Sequence, residues 1–446
     1  MALIKKKIHL STFQTIIIGF AVTILIGSLL LMLPISTRDR HGASLKDALF
    51  TSTSAVCVTG LVVKDTATYW SYFGQVVILL LIQVGGMGVV TMAVMIAILS
   101  GRKIGVFQRS TMQEAISAPA VGGIVRLTGF IIKTALIIEL IGALAMLPVF
   151  LMNFGPGKGI WFSVFHSVSA FCNAGFDLMG EGGEFSSLTS YYGQPVINIV
   201  VMLLIIVGGL GFLTWDDVRQ HGIHIKKYRM QSKAILLVTA ILIVVPALYF
   251  FFADFNSWEN MTLGEKVLAS LFQTVTPRTA GFNTVDLNLM TGASRAIILI
   301  LMLIGGAPGS TAGGIKTTTV AVLFTSALAV IKRREDTHCF KRRIDEGAIR
   351  SAAVILVMYL TLFLTGAIIM STVEGIPMGE CLFETASAIG TVGLSLGITP
   401  GLGLLSHIIL IMLMFFGRVG GLTLMFATLS KANVNSRLPQ EKITVG

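Results

Sequence analysis

With 446 residues, 54% apolar side chains, only 12% charged ones and a mean hydropathy of +0.84, the chain is not a water-soluble domain, in which about 25% of residues are charged. Its net charge of +11 does not mark a nucleic-acid binder, because 22 of the 33 Lys and Arg fall in five segments, 1–14, 101–126, 216–233, 332–350 and 431–446, that alternate with apolar stretches. This is the positive-inside bias of a membrane protein, and it predicts both termini in the cytoplasm.

The first predicted element, 15–33, follows Lys5, Lys6 and Lys7 as a signal peptide would. It is too long for a signal core and reaches Pro34 without a small-residue cleavage site, so it is read as a retained span. Further apolar runs follow at 72–99, 134–152, 197–213, 234–253, 296–330, 351–369 and 402–429. Runs of roughly 20 residues cover a hydrocarbon core of about 30 Å, so eight crossings are predicted. Cys57, Cys172, Cys339 and Cys381 lack the paired spacing of a disulfide frame or metal knuckle, and His221 and His224 read as a solvated loop pair. No nucleophile–base constellation or phosphate-binding glycine loop stands out, so nothing here favours an enzyme.

Internal repetition is the strongest signal. Four segments read ALFTSTSAVCVTGL (48–61), SVFHSVSAFCNAGF (163–176), SLFQTVTPRTAGF (270–282) and CLFETASAIGTVGL (381–394). Each opens on a phenylalanine (Phe50, Phe165, Phe272, Phe383) and closes on a glycine (Gly60, Gly175, Gly281, Gly393), and these glycines are 115, 106 and 112 residues apart. A second glycine landmark follows 24 to 33 residues later: GGMG at 85–88, GGLG at 208–211, GGAPG at 305–309 and GRVGG at 417–421. The third copy is one residue shorter and contains Pro277, so its short helix should end early. The predicted fold is an all-α polytopic membrane protein. Four tandem helix–pore-helix–filter–helix repeats, 1–110, 111–233, 234–345 and 346–446, surround a pseudo-fourfold pore, with eight transmembrane helices and four re-entrant half-helices.

The short segments explain this arrangement. Leu45–Cys57 spans about 20 Å as a helix, too little to cross, and it carries Thr51, Ser52, Thr53 and Ser54. Such a segment is stable at membrane depth only when shielded from lipid. Four of them around one axis bring four glycines into a ring. The carbonyls of Val58, Thr59 and Gly60, of Asn173, Ala174 and Gly175, of Thr279, Ala280 and Gly281, and of Thr391, Val392 and Gly393 could then replace an ion's hydration shell. The C-terminal ends of four half-helices favour a cation there. One membrane glycine alone would be read as a packing residue; four at matching positions are read as a filter.

A gate is expected below it. As one helix, 294–331 would be about 57 Å long, more than a bilayer needs. Its middle, 305–316, holds Gly305, Gly306, Gly309, Gly313 and Gly314 with Pro308, Ser310, Thr311 and Lys316, a composition that breaks helices. Arg418 lies at the matching place in the fourth repeat, and a mid-membrane Arg needs a partner such as the carbonyls of this loop.

At these residues the chain resembles the Ktr/Trk/HKT superfamily of potassium transporters, and specifically the membrane subunit of bacterial Ktr systems. The resemblance rests on VTG at 58–60, NAG at 173–175, TPRTAGF at 276–282, GTVG at 390–393, GGAPGSTAGGIKTTT at 305–319 and GRVG at 417–420. The chain starts directly at its first repeat, without the two extra N-terminal helices usual in Trk members. The resemblance implies potassium (K+) uptake across the bacterial plasma membrane, with K+ at the filter as substrate. It implies a homodimer and a cytoplasmic RCK-type regulatory ring. No cofactor is expected in this chain, and nucleotide (ATP/ADP or NAD) is expected on the regulatory partner only. A secondary cation transporter with broken helices and alternating access is the alternative, and sodium coupling stays open.

Overall fold

The first span opens where Ser11 Oγ accepts from Gln14 N (3.1 Å) and Gln14 Oε1 accepts from Ser11 N (3.0 Å), a reciprocal cap for otherwise free amides. It begins α1 (Thr12–Leu31). The computed structural model describes residues 11–100, 104–118, 122–255, 258, 261–428 and 441. The basic N-terminal Lys5–Lys7 stretch and the bases of the tail 431–446 lie outside them. After α1 come α2 (Leu45–Cys57), α3 (Tyr72–Met87), α4 (Val89–Leu99) and the amphipathic α5 (Val106–Ala115). Next, α6 (Ile124–Phe171) holds a long span and a short helix separated by a kink at Gly155, whose φ of 74° is left-handed. It leads to α7 (Pro195–Gly209) and α8 (Phe212–His221). The chain continues through α9 (Met230–Ala253), α10 (Leu263–Val275), α11 (Gly292–Leu303) and α12 (Thr317–Ile331). A small hairpin, β1 (His338–Cys339) with β2 (Arg342–Arg343), turns through Phe340 and Lys341, both at positive φ. The described helices end with α13 (Glu346–Glu374), α14 (Met378–Gly390), α15 (Leu404–Val419) and α16 (Gly421–Thr428).

The eight predicted crossings fall on α1, α3/α4, α6, α7, α9, α11/α12, α13 and α15/α16. Among the described residues, α1, α6, α9 and α13 are long and apolar enough to cross a membrane, and six spans result if each bent pair counts as one. The second helix of every unit is broken at its glycine landmark. The pairs α3/α4 and α7/α8 bend by 97° and 96°, α11 and α12 are separated by a loop, and α15 gives way to α16 at Gly420. Gly88, Gly211 and Gly420 share φ values of 86–90° and ψ of 130–141°, a conformation closed to residues with a Cβ. Of the expected repeat boundaries, 345/346 falls at the start of α13, whereas 110/111 and 233/234 fall inside α5 and α9.

The long helices carry lipid-compatible outer faces: Leu25, Ile26 and Leu29 of α1 are more than half exposed, while Ile16, Phe20 and Ile24 face the core. The short helices α2, α10, α14 and the end of α6 form the centre. Phe50, Phe165, Phe272 and Phe383 are all buried, and so are Thr51 to Ser54, with Ser52 Oγ donating to Ile24 O at 2.7 Å. The glycine landmarks explain the close fit. A Cβ added at Gly85, Gly208 or Gly417 would collide with the carbonyl oxygen of Val56, Phe171 or Ile389, at the end of the short helix of the same unit.

Candidate functional site

Each short helix delivers its chain end to the same point by the same backbone path. Val58, Asn173, Thr279 and Thr391 have φ of 56°, 58°, 69° and 52°, and the glycines two residues later have φ of 89°, 69°, 78° and 91°. Left-handed φ is costly for β-branched Val and Thr, and such outliers persist only where the surroundings impose them. In the third unit α10 stops at Val275, before Pro277, and Thr276–Arg278 form a turn that absorbs the missing residue.

The four segments meet as a closed ring. A Cβ placed on Gly60 would lie 2.6 Å from Ala174 O and 3.0 Å from Gly175 Cα, and one on Gly175 would lie 2.8 Å from Ala280 O. One on Gly281 would strike Val392 O, and one on Gly393 would strike Thr59 O. The carbonyl preceding each glycine therefore faces the glycine of the neighbouring segment, all the way round. Asn173 ties two segments together, its amide 3.2 Å from Thr279 Oγ1. The buried hydroxyls of Thr59 and Thr391 have no protein partner.

All four glycines also line one cavity of about 140 Å³ with Asp65, Asp177, Ser187, Asn283, Ser395 and Thr399. Asp65 spends its carboxylate on its own loop, accepting from Ala67 N, Thr68 N and Thr68 Oγ1 at 2.9–3.0 Å and from Phe185 N at 3.0 Å. Asp177 is less satisfied. Burial, with the nearby Asp65 carboxylate adding, pushes its carboxyl up to about 7 against the bond from Met179 N (2.9 Å).

A second cavity of about 260 Å³ is lined by the helix breaks: Gly86, Gly88, Gly309, Ser310, Ala312, Gly314, Lys316, Arg418 and Gly420. Between the two lies the segment 304–316. Gly305 N donates to Ile315 O (2.8 Å) and Thr317 N to Gly306 O (3.0 Å), closing it as a hairpin. Ala307 N donates to Gly209 O (2.9 Å) and Phe212 N to Gly309 O (2.7 Å), docking it on the second unit. Thr311 Oγ1 donates to Phe171 O at 3.2 Å, and a Cβ on Gly313 would strike Thr391 Oγ1. Lys316 Nζ donates to Ala312 O at 2.7 Å, within the loop itself. Arg418 donates to Thr311 O, Gly85 O and Gly86 O, the last at 3.0 Å. The expected partner of Arg418 is present; the α3 carbonyls were not foreseen, because they lie 332 and 333 residues away in sequence.

Sequence reasoning also passed over a ring of hydroxyls four residues after each phenylalanine. Ser54 Oγ accepts from Gly60 N (3.1 Å) and Ser387 Oγ from Gly393 N (3.0 Å), whereas Ser169 Oγ donates to Phe176 O and Thr276 Oγ1 to Phe282 O, both at 2.7 Å. Aligning the four segments on their phenylalanines would have exposed it.

A family model described as TrkH, cation transport protein, matches residues 6–437. The chain belongs to this family. Among its relatives, potassium/sodium uptake protein NtpJ of Enterococcus hirae is 39% identical over 457 residues, covering 100% of both chains. Ktr system potassium uptake protein B of Bacillus subtilis is also 39% identical, covering 99% of this chain and 98% of its own. The crystal structure of the potassium transporter TrkH from Vibrio parahaemolyticus matches with a TM-score of 0.75 at 20% identity, over 96% of this chain and 87% of that one, which establishes a common fold. The chain is thus an all-α, multi-pass membrane protein, a membrane subunit of the Ktr/Trk superfamily of cation transporters.

Proposed function

We propose that this protein takes up potassium across the plasma membrane through a channel-like pore, with Val58–Gly60 and its three counterparts as the selectivity filter. The observation that carries this reading is the closed ring: four carbonyls, each against a neighbouring glycine, at the floor of a cavity shared by all four units. Carbonyl dipoles in such a ring substitute for water around a monovalent cation. The unpartnered hydroxyls of Thr59 and Thr391 add ligand capacity. The relatives named for potassium or potassium/sodium uptake support the choice of ion. In this reading the loop 305–316 and Arg418 form the gate, two copies pair in the membrane, and a cytoplasmic RCK-type ring that binds nucleotide biases the gate. Both termini face the cytoplasm.

Purified protein in liposomes, loaded with potassium and assayed with and without external sodium, tests the reading. Potassium-selective flux that Gly281→Ser reduces is expected. Absence of potassium flux from folded protein, or flux unchanged by serine at all four glycines, would refute it.

A further inference from the structure

The residue after each unit's buried phenylalanine is Thr51, His166, Gln273 or Glu384, and all four are at most 1% exposed. Three of them reach the loop that follows their own glycine. His166 Nε2 accepts from Leu178 N at 3.3 Å while Nδ1 donates to Phe162 O at 2.7 Å, a pair of contacts met by the neutral ring. Gln273 Nε2 donates to Thr284 Oγ1 at 3.3 Å. Glu384 makes two bonds, accepting from Ser395 Oγ at 2.9 Å and from Thr399 Oγ1. Thr51 is too short for the reach, and its hydroxyl has no partner.

We propose that this position is an outer brace for the filter, and that Glu384 is the positioning residue on which cation selectivity depends most. The inference rests on the reading of the glycine ring as the cation site. Ser395 and Thr399 line the cavity above the ring, so Glu384 fixes the wall beside Gly393 from behind. Thr399 is held from its other side as well, its carbonyl 2.9 Å from His407 Nε2. Below the brace, Ser387 Oγ holds Gly393 N, so the fourth segment is fixed at two levels by α14 alone. Glu384 holds two hydroxyls of its loop where His166 and Gln273 each make one bond, which ranks it above them. The four units are therefore unequal: two braces of one bond, one brace of two bonds, and a first unit braced only at its lower level by Ser54.

The test measures potassium flux and the potassium-to-sodium permeability ratio in liposomes for the parent, Glu384→Ala, Glu384→Gln and Thr51→Val. Glu384→Ala is expected to lower the ratio about tenfold, the loss of both hydroxyl bonds read as selectivity. Glu384→Gln keeps an acceptor and adds a donor for the second hydroxyl, so it should restore the ratio to within about twofold. Thr51→Val should match the parent. The pair Ser395→Ala with Thr399→Val cuts the same bonds from the loop side and must lower the ratio too, which keeps the test decisive where Glu384→Ala does not fold. Parent protein that passes no potassium refutes the pore reading itself. A conducting parent whose ratio survives Glu384→Ala or the loop pair overturns the brace, as does a Gln variant no more selective than the Ala one.

Discussion

Replacing Arg418 with Ala probes the contact between the helix breaks most directly. The guanidinium holds the loop 304–316 through Thr311 O and the end of α3 through Gly85 O and Gly86 O. Three carbonyls take the place of water for a charge that would otherwise cost about 2.5–3.5 kcal/mol at mid-membrane. A hydrogen bond from a charged donor contributes about 1.5–3 kcal/mol. Without it, the loop keeps neutral bonds to the second unit through Ala307 N, Thr311 N, Phe212 N and Thr311 Oγ1. The loop should therefore stay folded while its docked state weakens, shifting the docked-to-released ratio by about tenfold or more. Basal potassium or rubidium flux in liposomes, without any regulatory partner, should rise by about that factor. Arg418→Lys should fall between, because one ammonium cannot span carbonyls of two units as a planar fork does. Shortening 309–314 should act in the same direction. Parent-level basal flux in both Arg418→Ala and the shortened loop, with the protein equally stable in detergent, would show that this contact does not gate.

Gly281→Ser and Gly393→Ser place a Cβ against Val392 O and Thr59 O at φ of 78° and 91°, and uptake assays should show potassium preference over sodium lowered about tenfold. Asp177 should make uptake at low potassium pH-dependent. Its carboxyl sits near 7 in the fold and near 3.8 when unfolded, so lowering the pH from 8 to 6 adds a proton and removes a negative charge from the cavity wall, slowing uptake about threefold. The same raised value means that stability falls as pH rises between about 4 and 7 and then levels, and Asp177→Asn should flatten both profiles. Charge reversal at Arg342 in the exposed hairpin, whose neighbour Arg343 is held by Asp336 (2.8 Å), should weaken co-purification with a regulatory ring more than reversal in 219–233, where Arg229 is already paired with Asp216 (2.8 Å) and Asp217 (3.3 Å). An unchanged complex in both would move the contact elsewhere.

What could be read from sequence was what repeats. Four phenylalanines and four glycines at matched spacing marked the short helices, and α2 has the bounds expected from its hydroxyl-rich stretch. Pro277 announced the early end of α10, since proline lacks the backbone donor that would carry the helix on, although Thr276 before it still has α dihedrals. The dense glycines of 305–316 announced the loop. Breaks at Gly88, Gly211 and Gly420 were hidden because hydropathy counts apolar side chains and is blind to a single left-handed glycine inside a run such as 72–99. The bends follow from packing: the second helix must abut the end of the short helix, then turn away.

The same distinction separates the ring from its supports. Glycines at the ring are forced by contact between backbones, which admits one residue type, so they recur in all four copies. The braces act through side chains, and any group that reaches the loop will serve. A histidine, a glutamine and a glutamate do so by different chemistry, and the threonine of the first copy does not do so at all. Identity at one layer and variety at the next is what a single chain gains over four identical subunits: each quarter of one ring can be tuned separately. Under that logic, the layer where the four copies differ most, behind the carbonyls, is where selectivity among monovalent cations should be adjustable without loss of conduction. Exchanging brace residues between units, for instance Gln273→Glu, should then change the potassium-to-sodium ratio by a few-fold while leaving potassium flux intact. Loss of flux from the exchange, in folded protein, would place these residues in the conduction path and defeat the argument.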